Sequence, residues 1–502
     1  MARTLRRLAA ALACAATVLV ALPITAPPAP AATPAPAAAS APAATPSPDL
    51  AAVDRYLADA LPKTGVPGTA VAITRGTDVV HLAGFGTDSR GAPITPDTRF
   101  RIASLSKTFT ATAVLQLAAA GRVDLDAPVR RYLPDFTLAD RALSARITVR
   151  HLLHQTSGIA DTAFPAVTDD DGDLRRRVAS LRTATPANEP GAAFHYADPN
   201  YQVLALLIED ITGEPWADHL GRHLFAPLGM TRTDATAATT TTTGAGAGAP
   251  DLPDGHVLVF DRPVARPELT GLLAGSGGVV STARDVARWL IAQSTGEGPA
   301  MPPGSRALLQ TPPLGSTYAM GWQVVTPDVT PDATPEQGPR RIEHTGVLST
   351  FSAVQVLLPD SGYAFALLFD ANSALADTAG LTTGLATLLA GTGEPAPPRS
   401  TGLVSAVIGG LCVLVVAARA RALTRLDRGH PRSEPLRLAW LLLPIGVLAA
   451  LSPLVAAATG RVFTTQQIAL AMPDVLILLV LAAVTGAALA AARLRARRTT
   501  RR

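Results

Sequence analysis

Residues 100–119 read Phe-Arg-Ile-Ala-Ser-Leu-Ser-Lys-Thr-Phe-Thr-Ala-Thr-Ala-Val-Leu-Gln-Leu-Ala-Ala, and Gly121 follows one residue later. The apolar run over 105–120, stopped by that glycine, predicts a helix. Ser104 stands at its start and Lys107 three residues on, a spacing that puts hydroxyl and amine on one helical face within reach of a shared hydrogen bond. The lysine is conspicuous because the chain has 43 basic residues, yet Lys63 and Lys107 are its only lysines. Arginine serves wherever a positive charge is enough. A lysine differs in that it can lose its proton when desolvated or set near other cations, and then acts as a base. Ser104 and Lys107 therefore read as a nucleophile and its activator. The helix N-terminus adds free N–H groups and positive potential that would steady a developing oxyanion. The plainer alternative is Ser104 as an N-cap, a role open at any helix start.

Outward from this helix, the pattern predicts a mixed domain over residues 49–395. Leu50, Val53, Leu57 and Leu61 have helical spacing, and two strand-like runs follow over 69–74 and 79–85. Further strands are expected over 318–325, 351–358 and 363–369, with helices over 199–211, 283–293 and 373–390. Sheet at both ends with helices between them implies an α+β fold. Residues 236–250 and 327–339 are low-complexity segments expected in loops. His151 and His154 share a helical face but lack a nearby third ligand, so they read as structural, and no metal or other cofactor is expected. The Gly-Ala run over 244–249 lacks the Lys-Ser/Thr of a phosphate loop. No Gly-x-Ser-x-Gly elbow occurs, which argues against an α/β-hydrolase.

The two ends of the chain have another character. Its 502 residues allow about three domains at ~150 residues each. Yet 48% hydrophobic residues, 16% charged and a mean hydropathy of +0.26 are too apolar for a wholly soluble chain. The net charge is +4, but three arginines crowd the first seven residues and thirteen lie from residue 419 onward, which leaves the middle acidic. The basic residues flank apolar segments instead of forming one patch, so nucleic acid is not an expected partner. Cys14 and Cys412 both lie inside apolar runs, so the middle region can form no disulfide. Residues 1–32, with a basic start, an apolar stretch and small residues near Ala29–Ala32, read as a secretory signal, and Cys14 reads as part of its apolar core. Residues 33–48, nearly all Ala, Pro, Ser and Thr, read as a linker.

Residues 396–502 read as a membrane anchor with spanning helices at about 402–418, 438–458 and 473–492. Arg419, Arg421, Arg425, Arg428, Arg432 and Arg437 crowd the first connection, whereas Arg461 is the only basic residue of the second. Six more arginines fill the tail from Arg493. Positive charge stays inside. The first connection and the C-terminus are therefore expected in the cytoplasm, and the 49–395 domain outside, where the signal segment would also send it. Asp474 lies at a segment edge, as in an anchor and unlike a transport site, and Pro444 and Pro453 are expected to kink the second helix.

Ser104-Leu105-Ser106-Lys107 resembles the Ser-x-x-Lys motif of serine β-lactamases and penicillin-binding proteins, and residues 100–108 resemble its setting in the class C branch. More phrases follow in order. Residues 147–153 with Gln155-Thr156-Ser157-Gly158 resemble a family loop, and Tyr196-Ala197-Asp198 resembles the Tyr-x-Asn element. Gly275-Ser276-Gly277-Gly278 and Met320-Gly321-Trp322 fall where such chains carry similar phrases, and His344-Thr345-Gly346 takes the place of Lys-Thr-Gly. The likeness covers nearly all of 49–395. It implies a β-lactamase/transpeptidase-like fold, an antiparallel sheet flanked by helices beside a mostly helical subdomain. It also implies Ser104 as the acylated nucleophile, with Lys107 and Tyr196 as the proton relay. Asp198, His344, Thr345 and Gly346 would bind substrate, and the backbone N–H groups of Ser104 and Val347 would form an oxyanion hole. Tyrosine, ordinarily near pKa 10, is a useful base only beside cations, and Lys107 is one candidate.

Two departures from the family pattern bear on substrate. Asp198 as a carboxylate only accepts hydrogen bonds where Asn also donates, and it is placed to pair with Lys107 and raise the lysine's pKa. His344, ordinarily near pKa 6.5, would be mostly neutral where Lys anchors a carboxylate, so carboxylate-bearing substrates should turn over better below about pH 7 than above it. The chain thus reads as a membrane-anchored extracytoplasmic serine hydrolase using an acyl-enzyme. Its expected substrates are esters, D-amino-acid peptides, peptidoglycan-derived fragments or β-lactam-like molecules. The rival reading is a penicillin-binding sensor or cell-wall binding protein with little turnover. Substrate choice depends on loops such as 160–190, and the pattern leaves it and the oligomeric state open.

Overall fold

The segment Tyr363–Phe369 reads Tyr-Ala-Phe-Ala-Leu-Leu-Phe, and every residue in it is buried. Successive strand side chains point to opposite faces, so Tyr363, Phe365, Leu367 and Phe369 share one apolar cluster while Ala364, Ala366 and Leu368 enter another. A strand buried on both faces needs cover on both sides. The computed structural model supplies it, describing residues 50–161, 173–236, 238–239, 251–269, 271–326, 338–425 and 434–500. The expected signal segment 1–32, linker 33–48 and nearly all of both low-complexity loops lie outside the described residues.

In chain order, α1 (Leu50–Thr64) leads into β1 (Gly68–Arg75) and β2 (Asp78–Gly86), and the helices α2 (Ser106–Ala119), α3 (Asp198–Thr212) and α4 (Ala283–Thr295) follow. Then come β3 (Gln323–Val325), β4 (Arg341–Val347), β5 (Ser352–Leu358), β6 (Tyr363–Phe369) and α5 (Thr378–Ala390). The strands form one antiparallel sheet in the order β3-β4-β5-β6-β1-β2. On the bulky face, Val53, Leu57 and Leu61 of α1 join Leu381, Leu385 and Leu389 of α5 over Val71, Ile73 and Val356. Each such side chain contributes roughly 1.5–3 kcal/mol by burial. On the small face, Ala70, Ala72 and Ala366 let α4 approach closely, and Trp289 of α4 stacks on Phe109 of α2 with ring centroids 4.0 Å apart. Residues 106–115 of α2 are all buried, as suits a helix enclosed on every side. The α+β, β-lactamase/transpeptidase-like architecture expected above is the one observed.

Local differences have local causes. The strand expected over 318–325 is confined to Gln323–Val325, because Gly321, at φ +83°, turns the chain back so that Tyr318 bridges to Gln323. A hairpin, Gly255–Val259 with Arg262–Arg266, went unforeseen because its two-residue turn, Phe260-Asp261, adopts positive φ without the Gly or Asn that signals such turns.

After α5 come α6 (Thr401–Leu423), α7 (Glu434–Ala449), α8 (Leu451–Thr459), α9 (Thr465–Ala471) and α10 (Pro473–Thr500). Thr401–Leu423 and Pro473–Ala496 are each long and apolar enough to cross a membrane, and α7 with α8 makes a third candidate bent by 65°. The bend falls at Ala450, where Pro453 has no N–H for the Ala449 carbonyl, whereas Pro444 sits inside α7 without ending it. These helices touch the α+β body. Thr401 donates to the Thr64 carbonyl at 2.9 Å, and Ala374 N–H to Ala471 O at 2.8 Å. The buried Asp474 carboxylate accepts from Phe260 N–H and from Ser405 Oγ, both at 2.7 Å.

Candidate active site

The site is built around the turn before α2. Ala103–Leu105 forms a 3₁₀ turn in which Ala103 takes φ +50°, a conformation costly for a residue with a Cβ. Ser106 holds it there: its Oγ donates to Ala103 O at 2.6 Å and accepts from Val279 N–H at 3.0 Å. The α-helix therefore begins at Ser106, its N-cap is Leu105 with no side-chain cap, and Ser104 is not used as a cap. Its hydroxyl instead accepts from Lys107 Nζ at 3.0 Å.

Lys107 is fully buried, and each of its three protons has an acceptor. Besides Ser104 Oγ these are Asp198 Oδ1 at 2.6 Å and the Ser276 carbonyl at 2.9 Å. Gly275 places that carbonyl by taking φ +75° in a space where any Cβ would overlap the Tyr201 carbonyl. Burial alone would lower the Lys107 pKa, but Asp198 and Tyr196 outweigh it and hold the amine above its usual range. Asp198, the first residue of α3, is opposed by burial too, yet Lys107 and Arg461 hold its carboxyl down at about 2. The pairing foreseen for Asp198 and Lys107 is thus present, and Lys107 is an ammonium.

Tyr196 lies beside this pair, its ring centroid 4.9 Å from Lys107 Nζ. Its ring meets Tyr318 at 5.9 Å and His344 at 6.1 Å between centroids. His344, in β4, is 5% exposed. Its Nδ1 is 2.7 Å from the Thr345 carbonyl and must carry the proton, so Nε2, 3.3 Å from the Tyr318 hydroxyl, accepts. Burial and the Lys107 charge push its pKa down to about 3. This corrects the expected titration near neutrality: His344 is neutral across the whole range from pH 5.5 to 8.5.

Thr345 and Val347 expose their side chains on the opposite face of β4. Gly346 lies against the nucleophile turn, where a Cβ would overlap the Ile102 carbonyl oxygen, so only glycine lets β4 pack there. Leu348 N–H donates to Phe351 O, so the antiparallel alternation leaves Val347 in a non-bonded pair with Ser352. Its N–H therefore points away from β5, toward the side on which β3 has ended.

The motif residues Ser104, Lys107, Tyr196, Asp198 and His344 are brought together. His151 and His154 are not among them: the His151 ring accepts from Thr148 N–H to cap a short helix, and burial lowers the His154 pKa to about 4. Among the described residues, Glu214, His219 and His223 bring three potential metal-ligand atoms within 4.8 Å of one another, outside the Ser104 cluster. Three site neighbours were missed from sequence. Tyr318 lies within a run read as strand, Asp161 carries no local signal, and Arg461 registers only as a sparse charge in the second connection. Arg461 Nη2 donates to Asp198 Oδ2 at 3.0 Å and its Nε to Asp161 Oδ2 at 2.7 Å.

Against known proteins, the Beta-lactamase family model matches residues 52–388. The chain is 26% identical over 337 residues to Protein flp of Staphylococcus aureus strain N315, covering 64% of this chain and 63% of that protein. The match therefore spans under two thirds of that relative. Penicillin-binding protein 4 of Amycolatopsis lactamdurans is 35% identical over 166 residues, 33% of this chain and 44% of that one. Among solved structures, EstCE1, described as a hydrolase with promiscuous acyltransferase activity, superposes with a TM-score of 0.57 at 22% identity, covering 68% of this chain and 98% of its own. The octameric penicillin-binding protein homologue from Pyrococcus abyssi gives a TM-score of 0.54 at 22% identity, over 64% and 74%.

Proposed function

Because the chain belongs to the β-lactamase family, we propose that it is a membrane-anchored extracytoplasmic serine hydrolase acting through an acyl-Ser104 intermediate. One observation carries this reading: the Ser104 hydroxyl meets a buried ammonium, Lys107, at 3.0 Å, and that ammonium is itself fixed by Asp198 and the Ser276 carbonyl. Lys107 has no lone pair to offer, so it orients Ser104 and stabilises the alkoxide electrostatically. The Ser104 proton passes to the Tyr196 oxygen as Oγ bonds to the carbonyl carbon, whose π electrons move onto its own oxygen. The N–H groups of Ser104 and Val347 hold the oxyanion. The tetrahedral species then collapses, Tyr196 returns the proton to the leaving group, and a water attacks the acyl-enzyme by the same route in reverse.

The substrate pocket favours acyl groups without a free carboxylate. His344 is neutral and buried, and the Arg461 guanidinium already faces two carboxylates, so neither of these two site residues is free to anchor an anion. Esters and uncharged amides suit the site better than β-lactams or peptides ending in D-alanine, both of which carry a carboxylate. The contact of residues 461 and 471 with the α+β body supports a topology in which the second connection and that body share one face of the membrane.

The test is active-site labelling of the full chain in detergent with a fluorophosphonate probe. Wild type labels and Ser104→Ala does not; labelling that persists in Ser104→Ala rules out the assigned nucleophile. In a panel of p-nitrophenyl esters, D-Ala-D-Ala peptides and nitrocefin, the esters turn over best.

A further inference from the structure

The connection between α8 and α9 is a built loop. Gly460 ends α8 in the left-handed conformation, and Arg461 N–H bonds Thr459 Oγ1 at 3.2 Å. Ser452 Oγ donates to the Phe463 carbonyl at 2.6 Å, and Thr464 with Gln467 forms a capping box that opens α9. The loop presents Arg461 between two carboxylates of the α+β body, with its guanidinium carbon 5.0 Å from the centroid of the Tyr196 ring. Its side chain is 32% exposed and those of Asp161 and Asp198 13% and 35%.

Charge-assisted hydrogen bonds thus run in an unbroken chain from Asp161 through Arg461, Asp198 and Lys107 to Ser104. Asp198 reaches Lys107 through Oδ1 and Arg461 through Oδ2, so the guanidinium fixes the rotation of the carboxylate that aims the ammonium. Without Arg461, two carboxylates would face one ammonium in a partly desolvated pocket. Buried charge left uncompensated in this way is costly, and the pocket would rearrange. His344, held neutral, contributes no replacement cation.

We infer that Arg461, delivered by the C-terminal helical segment, is a positioning residue of the acyl-transfer site, so that the segment proposed as an anchor also completes the active centre. This rests on the acyl-Ser104 reading above and adds a part that the 49–395 region cannot supply by itself.

The experiment measures fluorophosphonate labelling rates and p-nitrophenyl acetate turnover for the full chain in detergent micelles. Arg461→Ala should lower the labelling rate and kcat by about 10²-fold, the scale of a misplaced reacting group, with KM for the uncharged ester little changed. Arg461→Lys, which keeps the charge but not the fork, should fall between, and it serves as the measured variant if Arg461→Ala does not fold. Added ethylguanidinium should restore part of the rate of Arg461→Ala, a rescue that a purely structural defect would not show. Labelling of Arg461→Ala at the wild-type rate overturns the inference, as does faster labelling, which a plug lifted from the cleft would give. If wild type labels through Ser104 and the Arg461 variants match it, this inference alone fails. If wild type does not label, or Ser104→Ala still does, the acyl-Ser104 reading fails first.

Discussion

Lys107 directs its three protons to Ser104, Asp198 and Ser276, so in the proposed mechanism it orients and stabilises while the proton goes elsewhere. Burial, together with that same charge, keeps a proton off His344, whose folded pKa of about 3 lies below its ordinary 6.5. The sign follows from linkage. The unfolded chain takes up the proton first, so the stability tied to neutral His344 is intact above about pH 6.5. It declines toward pH 3 by up to about 1.4 kcal/mol per unit. The Tm of the full chain in detergent should therefore fall between pH 7.5 and 5, and fall less in His344→Gln; equal slopes contradict a buried neutral imidazole. Turnover of a carboxylate-bearing substrate should show no step from His344 between pH 5.5 and 8.5. At this scale the sequence already pointed to Ser104 and Lys107, because short spacing along a helix start and a rare residue type are local signals, and to Tyr196 through the family resemblance. It contained no sign of the His344 environment, which comes from Tyr318, Tyr196 and Lys107, each distant in the chain.

Between elements, β4 fits closely against the nucleophile turn. The sheet brings Gly346 onto Ile102, and a methyl group there meets a backbone carbonyl that cannot swing aside as a side chain could. Gly346→Ala should cost roughly 1–3 kcal/mol as an overpacked contact and slow fluorophosphonate labelling by displacing Ser104 relative to Val347. Unchanged Tm and labelling would show that β4 and the turn are less closely coupled. Most strands and helices were legible because period-two and helical spacing survive wherever an element is buried on a defined face, as in Tyr363–Phe369 and in α1. The Phe260-Asp261 hairpin was not, because its positive-φ turn lacks the Gly or Asn that signals one, and the Asp474 carboxylate that meets the Phe260 N–H is far along the chain.

At the scale of the molecule, two helices among the described residues are long and apolar enough to span a membrane, with a bent third candidate between them. The charge pattern predicts which side each connection occupies, and cysteine labelling can test it cleanly because Cys14 and Cys412 are the only thiols. In intact cells, Gln466→Cys in the second connection should react with a membrane-impermeant maleimide, whereas Arg432→Cys in the first should react only after permeabilisation. The reverse pattern would invert the proposed topology. Family, strand and helix layout, the serine-lysine pair and the apolar C-terminal segments follow from the sequence alone, since each is carried by neighbours a few residues apart. The tertiary structure alone decided that Arg461, about 260 residues from Asp198 along the chain, lies 3.0 Å from its carboxylate. No periodicity or motif encodes such a pairing, because it forms only where folding brings two distant and separately stabilised surfaces into contact and charge left alone in the gap must be neutralised.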